Sequence, residues 1–242
     1  GIHRLDANEV RVVGLSPDDF VNKKSDFFAA LYKDESEGGY YLANRGTESG
    51  ADAWTDAVNN FGYVDGQFET AVSLAVGVYE ALEGNVTFVG HSLGGGLASV
   101  QATSVGGRAI TFNAAGVHPR VATMLKLDIL PAKANVMAYH VAGDLVSIAQ
   151  DSLGYDVAAA LLGTLPVAGI EAGRLLSGNK FASNIGFAYA PEALGRRIEL
   201  PSVQSGRPMS RSERLNPLNQ LQQHKNGSVL RSLEYLIGAS AR

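Results

Sequence analysis

The chain contains no cysteine. That excludes disulfide staples, a thiolate nucleophile and a cysteine-based metal site, and it leaves the redox compartment unmarked. Charge of one sign is also scarce: a net charge of −4 over 242 residues gives no electrostatic reason to expect nucleic acid. A weak acidic excess does not bar lipid, because interfacial binding can rest on apolar contact alone. Long apolar runs are missing too. The nearest, from 157 to 170, is interrupted by Gly163 and Pro166 and is too short to cross a bilayer. Gly1 to Asp6 has no basic start followed by an apolar core, so no signal peptide is expected there, and the absent initiating Met points to a processed or trimmed chain.

What is present describes an ordinary globular protein: 45% hydrophobic and 18% charged residues, without the low hydropathy and high charge of a disordered chain. The length suits one α/β domain over 1–242. Two aromatic-rich runs, Phe27 to Lys33 and Tyr40 to Asn44, flank an acidic, Gly-containing turn and predict a β-hairpin. From Asp65 to Glu83, apolar Phe68, Val72, Leu74, Ala75, Val78, Tyr79 and Leu82 recur at helical spacing, and Gly84-Asn85 stops the segment. Strands are expected at Val86 to Val89, Ala109 to Asn113 and Asn135 to Val141, with helices after Ser92 and over 121–130. This alternation predicts a parallel sheet with right-handed crossovers. The segment 152–178 reads either as a helical pair packed on the domain or as a lid or interfacial segment. Leu200 to Leu218, rich in Pro, Ser and Arg, reads as a surface excursion, and Leu221 to Leu236 as a closing helix.

The densest signal is Val86-Thr87-Phe88-Val89-Gly90-His91-Ser92-Leu93-Gly94-Gly95-Gly96. An apolar strand runs into G-x-S-x-G and then into a small-residue helix start, the pattern of a nucleophile elbow with Ser92 at its tip. The serine must sit on a sharp strand-to-helix turn, and Gly90 and Gly94 remove the Cβ atoms that would strike the crossing backbone. The helix that follows aims its unpaired N–H groups and positive dipole end at the serine, which is half of an oxyanion site. A phosphate-binding loop is disfavoured, because its closing Lys-Ser/Thr is missing.

Such a serine needs a base and a carboxylate, in chain order Ser, Asp or Glu, His on this kind of sheet. Asp144 follows a strand, where catalytic groups collect in open parallel sheets; read alone, it is equally a turn-forming or helix-capping aspartate. His224 is the sole histidine beyond Asp144. His140 falls inside a strand and too close to Asp144 to be its partner, His118 reads as a loop residue, His3 is terminal, and His91 shapes the elbow. Asn44-Arg45-Gly46-Thr47, after the second hairpin strand, suits the other half of the oxyanion site; the alternative there is a Gly turn with a capping threonine.

Arg45-Gly46-Thr47, Asp52-Ala53-Trp54-Thr55-Asp56, Gly90 to Gly95 and Gly143-Asp144-Leu145-Val146, in that order, resemble the class 3, fungal-type lipases and their bacterial relatives. The resemblance spans about Phe27 to Ser147. It implies an α/β-hydrolase fold, a mostly parallel central sheet with helices on both faces, and hydrolysis of lipid esters without metal or organic cofactor. It further implies Ser92 as nucleophile, Asp144 as orienting acid, Thr47 and the Leu93 N–H as oxyanion donors, and Asp52 and Asp56 as braces of the oxyanion loop. Around His224 the sequence Gln-Gln-His-Lys-Asn departs from the Gly- and aromatic-rich setting of that family. The bacterial branch it resembles includes secreted effectors that attack phospholipids, which implies a lipid ester substrate, a membrane surface and a neutralising protein partner. Two other readings stay open: a soluble esterase, thioesterase or acyltransferase with the same triad, and a non-catalytic binding protein on a hydrolase fold.

Overall fold

The computed structural model describes residues 1–46, 66–117, 119–144, 146–147 and 192–240. Among these, eight strands form one sheet: β1 (Ile2–Arg4), β2 (Val21–Asn22), β3 (Phe27–Asp34), β4 (Tyr40–Asn44), β5 (Val86–His91), β6 (Arg108–Phe112), β7 (Val136–Val141) and β8 (Arg196–Leu200). The order is β1-β3-β4-β5-β6-β7-β8, with β2 paired to β3. Strands β1, β2 and β3 are joined by antiparallel pairing, and β3 pairs antiparallel with β4 in the expected hairpin, from Ala29 opposite Asn44 to Lys33 opposite Tyr40. From β4 through β8 every pairing is parallel. The C-terminal ends of five strands therefore share one edge of the sheet, and ligands bind outside such an edge in open α/β folds.

A short helix, α1 (Ala7–Val12), follows β1, and one face of the sheet carries α2 (Gly66–Ala81) and α3 (Leu93–Val105). Helix α2 turns Phe68, Ala71, Leu74, Ala75 and Val78 inward, the helical spacing read in the sequence. These meet Leu31, Leu42, Val86 and Phe88 in the main core. Helix α3 is buried from Leu93 to Ala102, and its glycines let it lie close to the strands. A Cβ on Gly95 would sit 2.7 Å from the Ala114 Cβ. The opposite face is covered by α8 (Asn226–Ser240), whose Val229 joins Val141 and Leu200 in a second core, with Phe112, Tyr139 and Leu233 packed against it. The period-2 alternation of β7 separates the two cores, with Val136 on one side and Val141 on the other. This is an α/β-hydrolase arrangement, a mostly parallel sheet with helices on both faces.

Four segments differ from the periodicity reading. The helix expected over 121–130 is α4 (Pro119–Met124), closed when Lys126 turns left-handed at φ 52° and the Leu127 N–H returns to the Ala122 carbonyl at 2.9 Å. Asn135 closes the short α5 (Ala132–Asn135), so β7 starts one residue later. The surface excursion from Leu200 begins inside β8, a charged edge strand. It continues through a small hairpin, β9 (Val203–Gln204) with β10 (Arg207–Pro208), that buries Val203. The closing helix is two helices. After α6 (Arg211–Arg214), α7 (Pro217–His224) stops at an extended Lys225, φ −72° and ψ 147°, and α8 starts at Asn226. No helix among the described residues is long and apolar enough to cross a membrane.

Candidate active site

The site is assembled where the parallel strands end. Strand β5 delivers Ser92 into a backbone conformation of φ 56° and ψ −125°, sparsely populated for any L-residue and held only where the surroundings enforce it. The enforcement is visible. The Ser92 N–H donates to the Phe112 carbonyl, and the Ser92 carbonyl accepts from the N–H groups of Gly95, Gly96 and Ala115 at 2.9 to 3.2 Å. A Cβ on Gly90 would lie 2.1 Å from the Gly94 carbonyl oxygen, and one on Gly94 would lie 2.4 Å from the Asn44 carbonyl oxygen. Both contacts are with backbone, so glycine at these two positions is a steric requirement of the elbow. The Ser92 side chain caps nothing at the head of α3 and is turned to another partner.

That partner is His224. Its Nε2 lies 2.8 Å from Ser92 Oγ, and its Nδ1 lies 2.7 Å from Asp144 Oδ1. A carboxylate only accepts, so Nδ1–H donates to Asp144 and Nε2 accepts from the serine hydroxyl. Asp144 follows β7 and is 0% exposed. Its second oxygen, Oδ2, accepts from both the N–H and the Oγ–H of Ser147, each at 2.8 Å. Burial alone would raise its pKa; the charge and hydrogen bond of His224 and the two Ser147 bonds outweigh it, and the carboxyl is held below its ordinary range. Ser92 is 7% exposed and the His224 side chain 19%. The serine, the imidazole and the carboxylate thus form one continuous hydrogen-bonded chain whose acid end is shielded from water and whose imidazole is partly exposed.

Leu93 is the first residue of α3, so its N–H has no carbonyl within the helix to serve, and it stands beside Ser92 at the helix's positive end. Gly46 comes close from the other side: a Cβ on it would lie 2.7 Å from the His91 carbonyl oxygen. Its neighbour Arg45 is tied down by a 2.8 Å ion pair to Asp26 and lies over the Phe28 ring, 5.3 Å from its centroid. The strand carrying this loop is joined to α3 by a buried hydrogen bond of 2.6 Å, from Asn44 Nδ2 to Gln101 Oε1, and Gln101 in turn donates to the Ala71 carbonyl. Thr47, Asp52, Asp56, His118 and the 152–178 segment lie outside the described residues.

The structure brings together Ser92, Leu93, Asp144, His224 and Gly46, with Gly90, Gly94 and His91 in the elbow. His140 is in β7, and its Nε2 lies 3.9 Å from Glu199 on β8. His3 is in β1, with its Nε2 3.2 Å from Glu9 Oε1. Two contributors escaped the sequence reading. Ser147 could have been found from Asp144-Leu145-Val146-Ser147, since a side-chain oxygen three residues before an N–H is capping geometry. Asn113 carried only the weak signal of an Asn at a strand end; it sits in left-handed backbone at φ 44°. Its Oδ1 accepts from the Val141 N–H at 2.9 Å, and its Nδ2 donates to the carbonyls of Gln223 at 3.0 Å and His224 at 3.4 Å.

Residues 1–206 match the family model described as a Tle-like phospholipase domain. That stretch contains Ser92 and Asp144, while His224 lies past its end. The extracellular phospholipase A1 of Serratia liquefaciens is 34% identical over 138 residues, which are 57% of this chain and 43% of that protein. The chain thus matches less than half the length of that relative. Among solved structures, a fungal lipase–inhibitor complex aligns over 61% of this chain and 77% of its own at 15% identity and a TM-score of 0.36. The native Rhizomucor miehei lipase–propeptide complex aligns over 61% of this chain and 65% of its own, at 14% identity and a TM-score of 0.35.

Proposed function

The chain belongs to the Tle-like phospholipase family, and from that premise we propose that it hydrolyses acyl esters of glycerophospholipids through an acyl-enzyme on Ser92. The observation that carries this reading is the unbroken chain from Ser92 Oγ through His224 to the buried Asp144. Ser92 Oγ attacks the acyl carbonyl carbon while its proton passes to His224 Nε2. The oxyanion forms at the head of α3, where the Leu93 N–H receives it, with Thr47, which follows Gly46 in the chain, as the second donor. Collapse breaks the ester bond, and His224 returns its proton to the leaving glycerol oxygen. Water then attacks the acyl-enzyme with His224 again as base, releasing fatty acid and restoring Ser92. Asp144 keeps the imidazole in the Nδ1–H tautomer and stabilises the imidazolium that forms. The name of the Serratia relative, a phospholipase A1, supports the sn-1 ester as the bond cleaved.

Vesicles of phospholipid with different acyl chains at sn-1 and sn-2 test this directly. Wild-type protein is expected to release the sn-1 acid. Ser92→Ala and His224→Ala are each expected to reduce release by about 10⁴-fold or more. Release of the sn-2 acid would correct the position. Loss with Ser92→Ala alone would remove His224 from the mechanism. Hydrolysis of soluble esters with no action on vesicles would favour the esterase reading.

A further inference from the structure

The chain entering and leaving His224 has a feature that hydrolysis itself does not use. Helix α7 breaks immediately after the base, and the carbonyls freed by the break are captured. The His224 carbonyl lies 2.6 Å from His91 Nε2. Asn113 Nδ2 donates to the Gln223 and His224 carbonyls, and the Ser228 hydroxyl lies 2.6 and 2.7 Å from those of Gln223 and Lys225, its one proton shared between them. A carbonyl oxygen accepts only, so His91 must carry its proton on Nε2. The two imidazoles lie with centroids 5.0 Å apart and planes tilted by 43°.

We propose that His91 is a positioning residue for the base: the His91-Ser92 dipeptide grips His224 twice, by its carbonyl through His91 Nε2–H and by its ring through Ser92 Oγ. The two contacts and the covalent chain close a small ring, from the Ser92 backbone to His91, across to the His224 carbonyl, through the His224 side chain and back to Ser92 Oγ. Moving the base relative to the nucleophile therefore requires breaking the His91 contact or straining the elbow. Asn113 supports the ring from the end of β6, because its Oδ1 is fixed by the Val141 N–H. This arrangement supplies by hydrogen bonding what a break between two helices would otherwise leave loose, and it gives the histidine of Gly90-His91-Ser92 a task in the mechanism. The inference rests on Ser92 and His224 being the catalytic pair.

The test uses the full chain with p-nitrophenyl butyrate, a soluble ester that needs no interface. His91→Phe keeps the ring and loses the donor; His91→Gln places an amide N–H near the Nε2 position. Displacing a catalytic group by about 1 Å costs about 100-fold, so His91→Phe is expected to lower kcat by roughly that factor with KM within about twofold. His91→Gln is expected to recover most of the loss. Equal impairment of the two folded variants, or full activity of His91→Phe, overturns the proposal. If His91→Phe does not fold, wild-type protein decides through long-range ¹H–¹⁵N correlation of its imidazoles: the neutral Nε2–H tautomer of His91 at pH 7 supports the clamp, and the Nδ1–H tautomer overturns it. Ser92→Ala, run beside them, judges the underlying reading separately: turnover surviving in that variant would remove Ser92 as nucleophile, while the tautomer of His91 would still decide its bond to the His224 carbonyl.

Discussion

Asp144 illustrates how one buried side chain can hold its charge. A carboxylate with 0% exposure would be neutral if it were alone, because desolvation disfavours the ion. Three donors, His224 Nδ1–H and the N–H and Oγ–H of Ser147, reverse that preference. The ionised acid then accepts from Nδ1–H, and Nε2 accepts from the Ser92 hydroxyl. Asp144→Asn preserves the volume and presents an amide that can donate, which allows the opposite imidazole tautomer. We expect its kcat to fall by about 10³- to 10⁴-fold with the protein still folded, as read by ester hydrolysis beside circular dichroism. Ser147→Ala removes one of the three donors and keeps the backbone N–H, so a smaller loss, about 3- to 10-fold in kcat and about 1 kcal/mol of stability, is expected. Equal losses for the two variants would mean that Asp144 cannot serve the imidazole at all without the Ser147 hydroxyl.

At the scale of elements, the site depends on how closely α3 approaches β4 and β6. The buried Asn44–Gln101 bond at 2.6 Å ties the strand that leads to Gly46 to the helix that follows Ser92. Removing one partner leaves a buried amide without its mate. Gln101→Leu should therefore destabilise by about 2 kcal/mol in urea unfolding and lower activity as the Gly46 loop loosens; an unchanged unfolding midpoint would show that the pair is dispensable. Gly94→Ala should be worse, because its Cβ would meet the Asn44 carbonyl at 2.4 Å and neither backbone can yield without opening the elbow. These elements were legible in the sequence. Aromatic-rich and apolar runs marked β4 to β7, helical spacing marked α2, and G-x-S-x-G marked the turn. The break at Lys225 escapes a reading that joins Leu221 and the apolar residues from Val229 on into one helix, although Gln222 to Ser228 holds no apolar residue and Asn226-Gly227 is a turn dipeptide. What stops α7 is the capture of its last carbonyls by His91, Asn113 and Ser228, contacts between residues up to 133 apart in the chain. The charged edge strand β8 was missed for a related reason: Arg196, Arg197 and Glu199 hide a strand whose pairing with β7 is set by the sheet rather than by local pattern.

For the whole molecule the same clamp has a consequence in acid. Burial, and secondarily the charge of His224, push the His91 pKa down from 6.5 to about 4, against the raising effect of its bond to the His224 carbonyl. A histidine whose folded pKa is depressed binds fewer protons than the unfolded chain between those two values, so stability rises with pH there. Its contribution is complete above pH 6.5, falls as pH drops from 6.5 to 4, and then levels off at a loss on the order of 3 kcal/mol. Asp144 has the carboxylate sign, so its stabilising contribution is lost only as pH falls below its ordinary value of 3.8, and the two effects occupy separate windows. A loss of that size matters against a typical total of about 5–15 kcal/mol. Wild-type protein is therefore expected to lose about 2 kcal/mol more than His91→Gln between about pH 7 and pH 4.5 in urea unfolding, because glutamine donates to the same carbonyl without a protonation to resist. Parallel losses in the two proteins would place the acid sensitivity in other groups and would mean that His91 takes up its proton as readily in the folded molecule as in the unfolded chain.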